Sequence, residues 1–212
     1  MSGADPRVRA VLKLAPVIPV FTPDDIDDAV QVANALFRGG LPVIEVTLRT
    51  PRAMEAIKAM VEAVPEAVIG AGTVLDATQL QQLKAVGGRF AVSPGATERL
   101  YAAARDVDLP FLPGVATSSE LMRGLEHGLD TFKFFPAVQA GGAAMLSAWN
   151  GPFGDVRFCP TGGISAQTAP QFLHLPNVLC VGGSWLTTGE LLRTRDWVRI
   201  EQLAREAAVL AG

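Results

Sequence analysis

The sequence predicts an α/β fold, a (β/α)8 barrel that forms one domain over residues 1–212. Three observations favour this fold. Eight short apolar runs alternate with longer segments of helical period, most runs are apolar on both faces, and glycine-rich loops follow the last two. Barrels of this kind commonly bind phosphate at the loops after their final strands. An open doubly wound sheet is the alternative, because consecutive βα units do not exclude it.

The apolar runs give the bounds of the predicted strands, which are Pro16–Phe21, Pro42–Leu48, Ala67–Thr73, Arg89–Ser93, Leu109–Pro113, Thr131–Phe135, Val156–Pro160 and Val178–Val181. Apolar spacing of three and four residues predicts helices over Asp25–Arg38, Pro51–Val64, Asp76–Val86, Ser118–His127, Ala166–His174 and Asp196–Leu210. The segments Pro23-Asp24-Asp25 and Thr50-Pro51 offer N-cap and first-turn residues, and paired glycines at 39–40 and 87–88 mark helix ends. An extra helix over Asp5–Leu14 is expected to cover the N-terminal end of the barrel.

The composition indicates a compact core, with 49% hydrophobic and 18% charged residues. A net charge of -3 gives no basic surface for nucleic acid, and no run reaches the length of a membrane span. Without an apolar signal region, we expect a cytoplasmic protein whose two cysteines, Cys159 and Cys180, are buried and reduced. The two histidines, His127 and His174, lie near predicted helix ends, so no metal site is expected.

The carboxyl ends of the strands are the expected place for functional residues in such a barrel. One amine, one carboxylate, one guanidinium, hydroxyls and exposed backbone N–H groups would therefore face a common cavity. The residues concerned are Glu45, Arg49, Thr73, Pro94, Gly95, Pro113, Gly114, Lys133, Thr161, Gly162, Gly163, Gly182, Gly183 and Ser184.

Lys133 is the candidate nucleophile. Three of the four lysines fall in helix-like, solvated positions, whereas Lys133 lies in the strand TFKFFP among aromatic residues. A lysine in an apolar strand needs a partner or a function, and desolvation favours the neutral amine, which attacks carbonyl carbons. The alternative is a structural pair with a buried carboxylate. Glu45 is a candidate for that partner, and the sequence does not separate pairing from catalysis.

Glu45 and Arg49 lie in the segment VIEVTLRT, where alternation places residues 45, 47 and 49 on one face. A glutamate inside an apolar strand is costly unless it is hydrogen-bonded or used, so Glu45 is the candidate general acid–base. The planar fork of Arg49 suits a substrate carboxylate. The alternative is an internal Glu–Arg ion pair that only closes the end of the barrel.

Two glycine pairs, in TGGIS at 161–165 and GGS at 182–184, predict a phosphate site. Glycines allow close approach of the backbone, and successive N–H groups form a concave anion site. Ser165 is a candidate cap for the next helix, whose N-terminus favours negative charge. Paired glycines alone are weak evidence, because turns use them widely. Two pairs after consecutive final strands are stronger evidence.

Eight stretches are highly specific when taken together, namely PVIPV at 16–20, IEVTLRT at 44–50, GAGTVL at 70–75, SPG at 93–95, LPGVATSSE at 112–120, FKFFPA at 132–137, GPFGDVRFCPTGGIS at 151–165 and GGSWL at 182–186. With them the sequence resembles the bacterial 2-keto-3-deoxy-6-phosphogluconate (KDPG) aldolases. These form a class I aldolase family related to 4-hydroxy-2-oxoglutarate aldolases. The resemblance runs from Pro16 to the final helix.

The resemblance implies a homotrimer of (β/α)8 barrels without metal or organic cofactor. It assigns the Schiff base to Lys133 and proton transfer to Glu45. It implies that Arg49 and Thr73 bind the pyruvyl carboxylate, that Thr161 lies near the substrate chain and that Phe135 packs beside the imine. The phosphate would be bound by Gly162, Gly163 and Ser184. Pro94 is a further candidate for substrate binding.

The expected reaction is cleavage of KDPG to pyruvate and glyceraldehyde 3-phosphate in the Entner–Doudoroff route. Three alternatives stay open. They are a phosphate-binding isomerase, epimerase or decarboxylase on the same barrel, a metal-dependent aldolase, and a barrel that binds a keto acid without turning it over. The sequence also leaves open the C4 stereochemistry of the substrate and whether 4-hydroxy-2-oxoglutarate is a physiological substrate.

Overall fold

A computed structural model of the chain describes residues 6–210. Within that range nine short strands pair in parallel, with the bounds β1 Val17–Phe21, β2 Val43–Thr47, β3 Val68–Gly72, β4 Ala91–Val92, β5 Phe111–Leu112, β6 Gly114–Val115, β7 Thr131–Phe134, β8 Arg157–Pro160 and β9 Val181–Gly183. One sheet has the order β5-β4-β3-β2-β1-β9 and the other has the order β6-β7-β8. The architecture is an α/β fold with a curled parallel sheet.

The fifth predicted strand, Leu109–Pro113, ends too early, because the extended segment continues to Val115 and is divided in two at Pro113. Its first half pairs with β4 and its second half, after the proline, pairs with β7. Proline has no N–H for a strand ladder, which is why pairing is interrupted there. The extended segment therefore joins the two sheets. On the other side, isolated parallel bridges link Phe158 to Val178 and Thr161 to Gly182.

The last predicted strand, Val178–Val181, was placed too early. The paired segment is Val181–Gly183, in register with Val17–Pro19 of β1. The two glycines have low strand propensity, so the apolar pattern ends before the strand does.

Ten α-helices are found in the described part of the chain, and a short 3-10 helix, Trp185–Thr187, follows β9. Their bounds are α1 Pro6–Leu12, α2 Ile26–Arg38, α3 Ala53–Ala63, α4 Ala77–Ala85, α5 Glu98–Val107, α6 Ser118–Glu126, α7 Gly142–Trp149, α8 Ala169–Leu173, α9 Gly189–Thr194 and α10 Trp197–Ala208. The six predicted helix segments correspond to α2, α3, α4, α6, α8 and α10. Helices α5, α7 and α9 have no named counterpart among them. None of these helices is long and apolar enough to cross a membrane.

Side-chain caps confirm one predicted helix start and correct two others. Asp25 caps α2, where its carboxylate accepts a hydrogen bond from the Asp28 N–H. Thr50 does not cap α3, because its hydroxyl donates to the carbonyl of Pro23 over 2.6 Å and the helix begins only at Ala53. Ser165 is not the cap of α8 either. That helix starts four residues later, with Thr168 at the N-cap position.

The predicted N-terminal helix is present as α1, although Asp5, its predicted first residue, lies outside the described residues. Val8 and Leu12 of this helix are buried in an inner cluster with strand residues such as Val43 and Val92. Arg9 pairs with Asp130, just before β7, over 2.6 Å. Helix α1 therefore packs against the N-terminal end of the strands, as predicted.

The inner cluster also contains both cysteines, Cys159 and Cys180, which are free thiols. Burial raises the pKa of the Cys180 thiol well above its usual range, and the neighbouring Cys159 raises it further. The folded protein therefore keeps this proton at pH values where the unfolded chain loses it.

Alkaline pH should consequently weaken the fold through Cys180. Below the ordinary thiol pKa, about 8.5, the protonated thiol has no effect on stability. Above it, the unfolded chain releases the proton, so the free energy of unfolding falls by about 1.4 kcal/mol per pH unit for this one group. Urea unfolding between pH 7.5 and 10 measures the slope, which should be shallower in Cys180→Ala. Equal slopes in the two proteins would contradict the assignment.

Candidate active site

A buried ion pair joins two strands at the centre of the site. The Lys133 ammonium on β7 donates a hydrogen bond to Oε1 of Glu45 on β2 over 2.8 Å. Their side chains are only 7% and 4% exposed. The Lys133 Nζ atom also lies 5.3 Å from the ring centroid of Phe135. The amine thus has a proton acceptor at hydrogen-bond distance and an aromatic side chain beside it.

The alternation of the strands turns both ionisable side chains inward. On β7, the neighbours Phe132 and Phe134 belong to a second cluster of buried residues, which lies between the strands and the surrounding helices, so Lys133 points the other way. On β2, Ile44 and Val46 have the same outward orientation, so Glu45 also faces the interior. The period-two pattern of the sequence therefore places an amine and a carboxylate in one inner layer.

Glu45 is the ion-pair partner of Lys133, as one of the two predicted alternatives required. The contact itself does not exclude a catalytic role for the pair. The predicted Glu45–Arg49 ion pair is not formed. Arg49 is exposed and has no hydrogen-bond or ion-pair partner among residues 6–210, and it lines a cleft beside the pair. A guanidinium in this position is available for an external carboxylate.

The cleft lies at the carboxyl ends of five strands and has a volume of about 220 Å³. This size suits a small molecule rather than a polymer. Six of the predicted site residues line it, namely Arg49, Phe135, Thr161, Gly162, Gly163 and Ser184. The structure therefore brings the predicted guanidinium, hydroxyls and glycine loop to one cavity.

The loop after β8 has the properties of an anion site. Gly162 and Gly163 have φ angles of 107° and 75°, which disfavour residues with a side chain. The amide N–H groups of Gly163 and Ile164 donate hydrogen bonds to no group in the described chain. Unpaired amides in a concave loop bind phosphate oxygens well. The loop that contains the two glycines therefore offers backbone amide donors to the cleft, in addition to reversing the chain direction.

Five residues with a predicted catalytic or binding role do not line this cleft. Lys133 and Glu45 lie within their strands, Gly183 is the last residue of β9, and Thr73 and Pro94 come after β3 and β4. Thr73 comes directly after β3 and has a φ angle of 60°, a strained conformation for a β-branched residue. Such strain is found preferentially at functional sites. Pro94 follows β4 and is exposed. At Gly183 a Cβ atom would overlap the Trp185 ring, so packing alone accounts for glycine there.

Val20 and Thr22 line the cleft but were not predicted as site residues, whereas Ile164 and Gly182, which also line it, belong to the predicted phosphate motifs at 161–165 and 182–184. The Thr22 hydroxyl lies 2.8 Å from the hydroxyl of Thr47, the inward-facing last residue of β2. Thr22 directly follows β1, so the rule that places functional residues after strands would have found it.

The fold and the site together define an α/β protein of the enzyme class, in which a buried lysine–carboxylate pair lies beside a small cleft lined by a guanidinium and glycine-rich loops. The chain belongs to the KDPG and KHG aldolase family, whose model matches residues 8–203. The chain is accordingly an aldolase, a carbon–carbon lyase.

Two curated relatives are similar to this chain over nearly their whole length. The KHG/KDPG aldolase of Escherichia coli K12 is 50% identical over 94% of this chain and 93% of its own length. The 2-dehydro-3-deoxy-phosphogluconate aldolase of Dickeya dadantii is 50% identical over 93% of this chain and 92% of its own.

Two solved structures superpose closely on this one. The KDPG aldolase of Legionella pneumophila, captured with pyruvate as a covalent carbinolamine intermediate, has a TM-score of 0.93 at 46% identity and covers 95% of this chain and 98% of its own. The 2-keto-3-deoxy-6-phosphogluconate aldolase of Zymomonas mobilis ZM4, solved with 3-phosphoglycerate, has a TM-score of 0.93 at 49% identity and covers 98% and 97%.

Proposed function

We propose that this aldolase cleaves KDPG to pyruvate and glyceraldehyde 3-phosphate through a Schiff base on Lys133. Its metabolic setting is then sugar-acid breakdown by the Entner–Doudoroff route. The observation that carries the proposal is the 2.8 Å contact between the Lys133 amine and the Glu45 carboxylate, buried beside a cleft with a free guanidinium and unpaired loop amides. The covalent pyruvate adduct of the Legionella relative supports it.

The mechanism starts with proton transfer within the pair. Glu45 Oε1 accepts a proton from Lys133 Nζ, and the free amine attacks the C2 ketone to give a carbinolamine. Glu45 returns this proton to the carbinolamine hydroxyl, which leaves as water, so the carboxylate is restored and an iminium ion forms that withdraws electrons from the C3–C4 bond. The buried position of the pair limits the access of water to these intermediates.

Cleavage and release use the same carboxylate in both directions. Glu45, acting through a water molecule, removes the C4 hydroxyl proton, and the C3–C4 electron pair moves into the iminium as glyceraldehyde 3-phosphate leaves. The resulting enamine takes a proton at C3, which Glu45 returns. Water then adds to the imine and frees pyruvate and Lys133. One carboxylate serves both steps because it alternates between base and acid.

The remaining site residues bind the two anionic ends of the substrate. We assign the carboxylate to Arg49 and Thr73, and the middle of the chain to Thr161, Phe135 and Pro94. We assign the phosphate to the loops after β8 and β9, through Gly162, Gly163, Gly183 and Ser184. The unpaired guanidinium and loop amides support these assignments, as does 3-phosphoglycerate in the Zymomonas structure.

Borohydride trapping tests the proposal. The protein is incubated with pyruvate and borohydride, and the adduct is located by peptide mass spectrometry. We expect a reduced pyruvyl adduct on Lys133. A folded protein without an adduct would favour a phosphate-binding isomerase or epimerase, which needs no imine, and would recast Lys133 as a structural cation. Activity that is lost with a chelator would favour the metal-dependent alternative.

The phosphate loop gives a prediction that separates two substrates. At Gly163 the φ angle is 75° and a Cβ atom would lie 2.9 Å from the Cβ atom of Val138. Gly163→Ala should therefore distort the loop and raise the KM for KDPG by about 10-fold or more, the value of one lost charge-assisted hydrogen bond. The KM for 4-hydroxy-2-oxoglutarate, which has no phosphate, should stay within about twofold. Equal losses with both substrates would contradict the phosphate assignment.

The Escherichia coli relative is named as an aldolase for both KHG and KDPG, which favours 4-hydroxy-2-oxoglutarate as a second substrate of this chain.

We further propose a closed eight-stranded (β/α)8 barrel as a single domain over residues 1–212, in which β5 and β6 count as one strand. The segment around Pro113 and the bridge between Thr161 and Gly182 support closure. The family resemblance of the sequence supports a homotrimer, which light scattering of the purified protein would test. A cytoplasmic location fits two adjacent cysteines that stay reduced.

A further inference from the structure

The place of the Glu45 carboxylate depends on a residue that has no side chain. Gly72, the last residue of β3, pairs in register with Thr47 on the neighbouring strand β2, two positions along from Glu45. It is buried and does not have a positive φ angle. The backbone conformation at 72 therefore does not itself require glycine.

The space above Gly72 is filled by the glutamate. A Cβ atom built on Gly72 would lie 2.7 Å from Cγ and 2.8 Å from Cδ of Glu45, and closer still to Oε1. Carbon atoms in van der Waals contact lie at about 3.5–4.0 Å. Any side chain at position 72 must therefore displace the carboxylate from its contact with the Lys133 amine or push the two strands apart.

The same relation occurs once more at the site. A Cβ atom at Gly182 of β9 would lie 2.8 Å from Cγ2 and 3.0 Å from Cβ of Thr161, across the bridge between these two residues. By contrast, a Cβ atom at Gly70 would overlap the Phe90 ring and carbonyl, which belong to the inner apolar cluster. Glycine at 70 serves packing, whereas glycine at 72 makes room for a polar, functional side chain.

We propose that Gly72 is a positioning residue of the aldolase, which holds the Glu45 carboxylate against the Lys133 amine by leaving its space empty. This inference rests on the proposed role of Glu45 in proton transfer. A displacement of the order of 1 Å in a catalytic group lowers turnover by about 10²-fold. Gly72 does not itself contact the reacting atoms, so its effect passes through Glu45.

The test is a double-mutant cycle that combines Gly72→Ala with Glu45→Ala, read as kcat for KDPG cleavage. In the natural background, Gly72→Ala should lower kcat by about 10²-fold and change the KM by less than about threefold. In the Glu45→Ala background, where no carboxylate remains to be displaced, the same change should cost less than about threefold. Gly189→Ala is the control, because a Cβ atom there meets no atom within 4 Å.

The remaining outcomes of the cycle concern the folding and the activity of the single and double variants. Equal losses in both backgrounds would overturn it, because they indicate a general disturbance of β3. If Gly72→Ala alone fails to fold while the double variant folds, the clash with Glu45 is supported. If both fail, Gly72 is needed for the fold only. Full activity of Gly72→Ala refutes this inference alone, whereas full activity of Glu45→Gln refutes the proposed proton-transfer role of Glu45 on which it rests.

Discussion

Replacing Lys133 by methionine is expected to abolish KDPG cleavage, with kcat lowered by at least about 10⁴-fold, as for loss of the nucleophile in other covalent mechanisms. Methionine keeps the length and the apolar stem but has no amine, so no imine forms. A coupled assay of pyruvate release measures the turnover, and borohydride trapping should find no pyruvyl adduct in the variant.

The loss must be separated from unfolding. Removal of one partner from a buried ion pair costs about 3–5 kcal/mol, and Glu45 would be left without its cation. Lys133→Arg keeps a cation beside the carboxylate and cannot form an imine, so it should be as inactive as the methionine variant while unfolding at a denaturant concentration closer to that of the unmodified protein. Lys58→Met, at an exposed lysine of α3, is the matched control and should keep full activity. Substantial turnover by Lys133→Arg would rule out the Schiff-base mechanism.

The second large effect is expected at Glu45. Glu45→Gln has nearly the same shape but cannot carry protons between the amine, the C4 hydroxyl and C3, so kcat should fall by about 10²–10⁴-fold. Exchange of the pyruvate methyl protons in D₂O, followed by NMR, isolates one of these steps, because it requires protonation and deprotonation at C3 of the enamine. This exchange should slow by a similar factor.

The imine itself should still form in Glu45→Gln, only more slowly, since Lys133 is retained. Pyruvate trapping on Lys133 together with loss of methyl exchange would assign Glu45 to proton transfer rather than to support of the lysine. Glu55→Gln, at an exposed glutamate of α3, is the control. Rapid methyl exchange in Glu45→Gln would transfer the acid–base role to another group.

The α/β architecture was predictable because its main signals are local. Strands covered on both sides are apolar throughout, and carboxylates such as that of Asp25 cap the N-termini of helices. The errors arise where pairing or a competing contact decides the outcome. Pro113 divides a strand whose halves pair with different neighbours, and β9 continues through glycines that have no apolar pattern. The Thr50 hydroxyl bonds to a distant carbonyl instead of capping α3.

The site was predictable as a set of residues, but not as a set of contacts. Alternation placed Lys133 and Glu45 on inward faces, and glycine pairs marked the loop after β8. The local sequence does not predict whether Glu45 pairs with Lys133 or with Arg49, because the pairing depends on where β2 and β7 face each other across the interior. The space that Gly72 leaves for Glu45 is likewise invisible in the sequence, since it exists only once two strands lie side by side.

The contact between Lys133 and Glu45 links residues that are 88 positions apart and belong to different sheets. Bringing two residues so far apart in sequence together costs loop-closure entropy, which the packing of the intervening strands and helices must offset. The amine therefore has this proton acceptor only in the folded chain, where β2 and β7 face each other across the interior. We expect the reactivity of Lys133 toward keto acids to be a property of the assembled fold and not of the local sequence.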